Sequence, residues 1–268
     1  MTTARWYQKA DSLAKAWRAK IGLPASKQAI EYTLCVAQHE TLCGDAWAGE
    51  HNWGACTLRP LNASELAVLS AKGIHAPPPG TALANIRAAE ALARQALLEA
   101  GLMGSDRALH WDCTPRTGYF TWFAAFGDDV SGAAYLVKIL VSDRPTCATQ
   151  LRSGTLDGLA RAMYATHYYT GIHTDPEANI TDYDRALLNV FPGIEWALAT
   201  WYEGSKPAPE PQAIQVALNK TGAKLTVDGI PGPLTRAAVR LFQGQHSLPV
   251  SGLPDLATLK ALGLVPTC

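Results

Sequence analysis

Long apolar runs are absent from this sequence. No stretch of the 268 residues approaches the roughly 20 apolar residues that a membrane-spanning helix needs, so we expect no membrane insertion. Residues 1–17 also lack an apolar core ahead of a small-residue cleavage site, and we expect no secretory signal there. The chain is nevertheless 48% hydrophobic, which is enough for a sizeable core and, at this length, favours two domains.

Net charge is lacking as well. The 23 basic and 23 acidic residues balance to a formal charge of zero, whereas nucleic-acid-binding domains are usually basic. Residues 206–268 hold six basic and three acidic side chains, which makes the tail mildly basic. This bias suits an anionic partner. We therefore expect no nucleic-acid partner.

None of the six cysteines has the sequence context of a catalytic nucleophile. Cys35, His39 and Cys43 follow one another at four-residue intervals, which suggests a zinc site. Eight helical residues, however, rise through roughly 12 Å, so the two cysteines can share neither an ion nor a disulfide. We expect buried free thiols, no metal and no cofactor.

The C-terminal segment has the pattern of three short amphipathic helices. Asp228–Gly229 predicts the turn between the first two, and Gly232–Pro233 predicts the start of the second. Asp255 can cap the third helix and Gly263 can end it. The predicted buried positions are Ile214, Ala217 and Leu218, then Leu234, Ala238, Leu241 and Phe242, and finally Leu256, Leu259 and Leu262.

These residues resemble the peptidoglycan-binding three-helix repeat that accompanies many cell-wall hydrolases. The matching pieces are Ile214–Gln215, Val227–Ile230, Gly232–Thr235, Phe242–Gln243, Leu248–Gly252 and Thr258–Leu259. The resemblance implies bacterial peptidoglycan as the partner. The residues that we expect to contact the wall are Asp228, Gly229, Thr235, Arg236 and Phe242.

A proline-rich segment precedes this tail. Residues 204–211 contain three prolines in eight positions, a composition typical of a short, semi-rigid spacer. We therefore predict a first domain over residues 1–203, a linker over 204–211 and a wall-binding domain over 212–268.

The first domain is predicted to be mainly α-helical with a small extended element. Only residues 117–126 have a strand-like pattern, and residues 60–112 form a region rich in proline and alanine. The predicted helices cover residues 4–20, 26–43, 83–100, 129–141, 155–166 and 181–201.

Glu40 is the first candidate for chemistry. It lies at the end of an otherwise apolar predicted helix, just before a turn bounded by Gly44. A carboxyl in apolar surroundings has a raised pKa and can remain protonated to serve as a general acid.

Glu40, Gly44 and Asn52-Trp53-Gly54 resemble the glucosaminidase-like branch of the lysozyme superfamily, as do residues 119–126, 164–171 and 180–183. The resemblance implies a lysozyme-like helical fold that cleaves the β-1,4 glycan backbone of peptidoglycan. Two features depart from the family pattern: the turn after Glu40 reads Thr-Leu-Cys-Gly, and residues 60–112 form an insertion.

The resemblance also implies roles at the site. We expect Glu40 to be the general acid, with Glu50 and Tyr169 as further catalytic residues. Asp45, Glu65 and Asp112 are other candidates for a second carboxylate, although a lytic transglycosylase needs only one. We expect Asn52, Trp53, Tyr168 and Tyr183 to bind the substrate.

Several alternatives remain open. The enzyme type can be an N-acetylglucosaminidase, a muramidase or a lytic transglycosylase. A cysteine-dependent endopeptidase would use Cys113 or Cys35 with His167 or His39, and a structural wall-binding protein would need no chemistry. The setting that we expect is a monomeric phage endolysin or virion-associated lysin. Made in the cytoplasm, it would reach the wall by holin release, virion delivery or injection.

Overall fold

Helices dominate the structure, a computed structural model that describes residues 1–43, 45, 51–55, 57–113, 116–169, 171–204 and 207–264, with Cys113 described by its backbone alone. The described residues form eleven α-helices and three strands. In chain order these are α1 Thr3–Ile21, α2 Lys27–Thr41, β1 Thr57–Pro60, α3 Ala63–Ala71, α4 Leu83–Glu99, β2 Arg107–Cys113, β3 Gly118–Ala124, α5 Asp129–Val137, α6 Pro145–Ser153, α7 Leu156–Ala165, α8 Pro176–Ala197, α9 Pro211–Lys220, α10 Pro233–Gln245 and α11 Leu256–Ala261. The mainly α fold class is confirmed.

The chain divides into two compact units. One, the terminal unit, combines Met1–His39 with Val137–Cys268, and the other, the central unit, is Glu40–Leu136. A π-helical turn at Lys138–Ser142 and a 3-10 turn at Trp201–Glu203 both belong to the terminal unit.

The central unit is built on an antiparallel sheet in the order β1-β3-β2. Leu109 of β2 pairs with Trp122 of β3, and both side chains are fully buried. They pack with residues of α3 and α4, so the predicted insertion supplies much of this core. The expectation of one strand-like segment was wrong. β1 and β2 escaped the sequence pattern because β1 has four residues and β2 lies within the insertion.

Helices α1, α2, α6, α7 and α8 form the helical part of the terminal unit. The buried face of α1 carries Trp6, Ala10, Leu13 and Trp17, spaced at the three- and four-residue intervals of an amphipathic helix. This helix packs against α8, and α7 packs against both α6 and α8. Helix α8 begins after Asp175, whose carboxylate accepts a hydrogen bond from the Glu177 amide at 3.0 Å.

Helices α9, α10 and α11 complete the terminal unit, and we call residues 207–264 the C-terminal module. A glutamine in α9 fixes the loop that leads into α10. The Nε2 of Gln215 lies 2.8 Å from the Asp228 carboxylate and 3.2 Å from both the Ile230 carbonyl and the Thr235 hydroxyl. The Gly229 amide donates to the Gln215 Oε1 at 2.9 Å. Gly229 has φ 75°, a left-handed conformation that favours glycine.

The same arrangement recurs between α10 and α11. The Nε2 of Gln243 lies 3.0 Å from both the Ser251 hydroxyl and the Leu253 carbonyl, and 2.9 Å from the Thr258 hydroxyl. The Gly252 amide donates to the Gln243 Oε1 at 2.9 Å, and Gly252 has φ 76°. The module is therefore an internal repeat in which a buried glutamine ties each helix to the loop that follows it.

The buried face of α10 differs from the prediction. Leu234 and Leu241 are 79% and 63% exposed, whereas Thr235, Val239 and Phe242 are buried. The predicted stripe was thus wrong by about one position. Thr235 faces inward, where its hydroxyl accepts a hydrogen bond from the Gln215 amide group. This contact fixes the rotation of the helix.

The described part of the predicted linker is packed. Ala208 is buried, and the Glu210 carboxylate accepts a hydrogen bond from the Thr3 amide at 3.0 Å. Pro211 occupies the first turn of α9. The domain boundary at 204–211 stays a prediction, and residues 205–206 lie outside the described residues.

Candidate functional site

Glu40 lies in the last turn of α2. The helix starts after Ser26, whose hydroxyl accepts a hydrogen bond from the Ala29 amide at 3.1 Å. Its buried face includes Ile30 and Leu34, which are almost fully enclosed. Glu40 itself is half-buried, which leaves part of its side chain within reach of solvent.

The backbone next to Glu40 is strained. Leu42 and Cys43 have φ values of 51° and 55°, a left-handed conformation that costs energy for residues other than glycine. His51, Ala55 and His167 also have positive φ, so five of the six such residues in the described chain flank predicted site residues. Strain of this kind concentrates at functional sites when the surrounding structure enforces it.

Residues 51–54 form a loop that contacts the first residue of α5 in the central unit. The Trp53 Nε1 donates to the Asp129 carboxylate at 3.3 Å, and the His51 Nδ1 lies 2.9 Å from the same oxygen. A Cβ atom at Gly132 would fall 1.8 Å from the His51 carbonyl oxygen, so only glycine allows this close approach. Asn52 and Trp53 are both 0% exposed. Their enclosed side chains offer no face to a sugar, and we assign them a structural rather than a substrate-binding role.

Two predicted tyrosines meet in the terminal unit. The rings of Tyr169 and Tyr183 stack at 4.1 Å with only 9° between their planes, and the His39 ring packs edge-on against Tyr183 at 4.9 Å. The Tyr169 hydroxyl donates to the Ala160 carbonyl at 3.1 Å. Burial raises the pKa of Tyr169 well above its usual value, so this hydroxyl stays protonated at neutral pH.

His39 connects this aromatic stack to α2. Partial burial lowers the pKa of its imidazole, so the ring is neutral at pH 7. The next residue along the helix is Glu40. Sequence reasoning considered His39 only as a metal ligand or as a peptidase base, although its place beside Glu40 on a helix end could have suggested a packing role.

Tyr168 has a different neighbour from Tyr169. The Arg144 guanidinium lies over its ring, 5.5 Å from the centroid. Tyr168 is half-buried and follows His167, whose positive φ ends the turn after α7. Sequence reasoning missed Arg144, because an arginine before a Pro-Thr pair reads as an ordinary surface residue.

The described candidates for a second carboxylate have different surroundings. Arg59 binds the Glu65 carboxylate through two hydrogen bonds of 2.7 Å and lowers its pKa to about 2. Glu65 also caps α3 and is 3% exposed, so we assign it a structural role and not that of the second catalytic carboxylate. Asp112 accepts a hydrogen bond from the Tyr119 hydroxyl at 3.2 Å. Asp45 is exposed, and Glu50 and Gly44 lie outside the described residues.

A buried carboxyl that the sequence did not reveal lies in the middle of α2. Glu31 is 4% exposed, and its Oε1 has no hydrogen-bond partner, although the Lys27 ammonium lies 3.8 Å away. Burial raises its pKa to about 7. Nine residues of helix separate it from Glu40, roughly 13 Å along the axis, so the two carboxyls belong to different surroundings.

The cysteines whose side chains are described, Cys35, Cys43 and Cys147, are fully buried. Burial raises the pKa of the Cys147 thiol, which suppresses the reactive thiolate. Across the described ranges, no three histidine, cysteine, aspartate or glutamate side chains form a group that could hold a metal ion. Nor does any described helix combine the length and the apolar character required to cross a membrane.

The C-terminal module docks on α8 through Arg236. Its guanidinium donates to the Glu195 carboxylate at 2.9 Å and to the Pro192 carbonyl at 2.6 Å, and lies 5.8 Å from the Trp196 ring. Trp196 is 1% exposed and joins the core of the module, beside Ile214 and other buried residues.

Residues 207–262 match the family described as a putative peptidoglycan binding domain. The match supports a peptidoglycan-binding domain in this chain and hence association with the cell wall. Comparison of the chain with curated proteins and with solved structures gives no match.

Within the C-terminal module, the residues predicted to contact the wall also take part in its internal contacts. Thr235 and Phe242 are buried, and Asp228 and Gly229 belong to the loop that Gln215 holds. Arg236 is committed to α8. The large exposed apolar side chains of these loops and of α10 include Val227, Ile230, Leu234, Leu241 and Val250.

Proposed function

We propose that this protein is a peptidoglycan hydrolase that cleaves the β-1,4 glycan backbone. The observation that carries the proposal is the peptidoglycan-binding module at residues 207–262, which packs on the helices that precede it and brings them to the wall polymer. A wall-binding domain attached to a larger helical body is typical of enzymes that act on the wall.

Glu40 is the proposed general acid. A general acid must donate a proton to the departing sugar oxygen, and a half-buried carboxyl at a helix end can combine partial desolvation with access to substrate. The strained turn at Leu42 and Cys43 supports the assignment, because strain at this position must be held by the rest of the fold.

The aromatic stack supports a role in binding sugar. Sugar rings present apolar faces that pack on aromatic side chains, and Tyr169 is partly accessible beside the buried Tyr183. Because the Tyr169 hydroxyl is protonated and donates to a carbonyl, we assign it to positioning rather than to proton transfer.

The type of glycosidase follows from the second catalytic group. The ion pair with Arg59 removes Glu65 from the candidates for a second carboxylate. A lytic transglycosylase relies on one glutamate and would need no such partner for Glu40. An N-acetylglucosaminidase or a muramidase would need Glu50 or another carboxylate as partner. The proposed setting is an endolysin or a virion-associated lysin that reaches the wall from the cytoplasm.

The two rival functions fare differently. Full burial of the Cys35 thiol disfavours it as the nucleophile of a peptidase, which leaves Cys113 for that reading. A purely structural wall-binding protein remains compatible with the peptidoglycan-binding module, and only an activity measurement separates it from an enzyme.

The test is Glu40→Gln. Glutamine keeps the shape of the side chain but cannot donate the proton, so we expect at least about a hundredfold loss of activity on purified peptidoglycan, with folding and sacculus binding unchanged. Zymography measures the activity, and mass spectrometry of the fragments distinguishes glycan from peptide cleavage. Glu99→Gln, at an exposed carboxylate of the same unit, is the matched control. Near-normal turnover by folded Glu40→Gln would remove the assignment.

A further inference from the structure

Arg144 is a cation without a carboxylate partner among the described residues. It follows the π-helical turn and directly precedes α6. The Nη1 of Arg144 donates to the Ile139 carbonyl at 3.1 Å, and the guanidinium lies over the Tyr168 ring. The neighbouring acid, Asp143, is instead bound by Lys138 at 2.7 Å.

This arrangement leaves most of the guanidinium's binding capacity unused by protein atoms. An arginine carries five N–H donors in a planar fork, and here only one donates to a described protein group. Arg144 is half-buried, so its charge has lost part of its hydration without gaining an opposite charge. A bound carboxylate would correct this imbalance through charge-assisted hydrogen bonds.

The start of α6 adds to the same positive potential. Pro145 occupies its first turn, which contains no acidic residue, and no side chain caps the helix. The N-terminal end of a helix favours negative charge. Arg144 and this helix end therefore attract the same kind of group, next to the ring of Tyr168.

We propose that Arg144 and Tyr168 form a subsite for a carboxylate carried by the muramyl sugar of peptidoglycan. Arg144 binds the carboxylate, and the Tyr168 ring helps to hold the guanidinium in place. The carboxylate is that of the lactyl group in bare glycan or of the stem peptide in the native polymer. The inference rests on the proposed function, since it takes peptidoglycan as the substrate.

Binding without turnover tests the subsite. Full-length protein carrying Glu40→Gln is titrated calorimetrically with three probes. These are the N-acetylglucosaminyl-N-acetylmuramic acid disaccharide, its lactyl methylamide, and the same disaccharide bearing a stem dipeptide with a free carboxylate. We expect the charged probes to bind about tenfold or more tightly than the methylamide, because charge-assisted hydrogen bonds are lost with the charge.

Substitutions at Arg144 then locate the effect. Arg144→Gln should abolish the preference for charged probes, and Arg144→Lys should retain part of it, since lysine keeps the charge but not the fork. Arg152→Gln, at an exposed position of the same helix, should leave the preference intact. Circular dichroism and thermal melting report whether each variant is folded.

Each result decides between the outcomes. Equal affinity of the Glu40→Gln protein for all three probes, or no measurable binding of any, overturns the proposal without recourse to an Arg144 variant. A preference confined to the dipeptide probe supports it and identifies the stem peptide as the source. A preference that survives in folded Arg144→Gln overturns it. Charge preference in a protein that shows no wall hydrolysis would leave the subsite standing and reject the proposed enzyme.

Discussion

Glu31 is a single residue that makes the stability of the terminal unit depend on pH. Its side chain is buried, with the Lys27 ammonium at 3.8 Å and Glu195 of α8 nearby. Burial of the carboxyl and the nearby charge of Glu195 both disfavour ionisation of Glu31, so its pKa rises to about 7. Burial also raises the pKa of Tyr202, with a contribution from Glu31.

This pKa predicts a falling stability across neutral pH. The folded value of about 7 exceeds the 4.5 of an ordinary glutamate, so the folded state binds the extra proton between these values. The free energy of unfolding therefore decreases as pH rises from about 4.5 to about 7, by roughly 3 kcal/mol from this group alone. Glu31→Gln should remove that decrease and make the protein more stable than the parent at pH 8, measured by urea unfolding.

A matched substitution isolates the effect. Glu177→Gln changes an exposed carboxylate that pairs with Arg161 on the surface of the same unit. It should reproduce the parent's dependence on pH. If Glu31→Gln and the parent lose stability equally between pH 5 and pH 8, Glu31 does not bear the buried proton.

Helices α9 and α10 each depend on a glutamine that no hydrophobic pattern reveals. Truncation by Gln215→Ala would leave the Gly229 amide without its partner, and Gln243→Ala would do the same at the Gly252 amide. Each unsatisfied buried group costs roughly 1–3 kcal/mol. We expect both variants to lower the melting temperature of the module by similar amounts, because the two arrangements are equivalent.

The control lies in the same helix. Gln245, at the exposed end of α10, should tolerate alanine within about 0.5 kcal/mol. A much smaller effect of Gln243→Ala than of Gln215→Ala would show that the two arrangements share their geometry but do not contribute equally to stability.

Elements with strong local signals could be predicted from the sequence. The cap at Asp255, the turn at Asp228–Gly229 and the proline start of α10 all occur as expected, because each depends on a few neighbouring residues. The rotation of α10 was missed since a long-range contact between Gln215 and Thr235 decides it.

The site was predictable only in part, for the same reason. Tyr169 and Tyr183 were both candidates from the sequence, but their stacking was not predicted. The hydrogen bond of Trp53 involves Asp129, which lies far along the chain. Arg144 and Glu31 have unremarkable sequence neighbours, and only their three-dimensional surroundings make them unusual.

At the scale of the whole molecule, the C-terminal module packs against α8 and is not joined to it by a linker alone. Trp196 lies at the end of α8 yet belongs to the core of the module, and the Glu195 carboxylate is held by Arg236. The Leu256 amide also donates to the Glu203 carboxylate at 3.1 Å. The C-terminal module and the helices before it are therefore packed together through α8.

Removal of the module is the test at this scale. We expect residues 1–205 to fold and to keep activity on soluble glycan fragments, but to bind sacculi more weakly than the full chain. The packed contacts add a cost, since exposure of a large buried side chain such as Trp196 destabilises by roughly 2 kcal/mol. The melting temperature of the truncated protein should therefore fall. The exposed Trp196 side chain should also lower its solubility, and Trp196→Gln should recover part of that solubility. Sedimentation with sacculi and thermal melting measure the two effects, and equal retention of both proteins by sacculi would show that the module does not provide wall affinity.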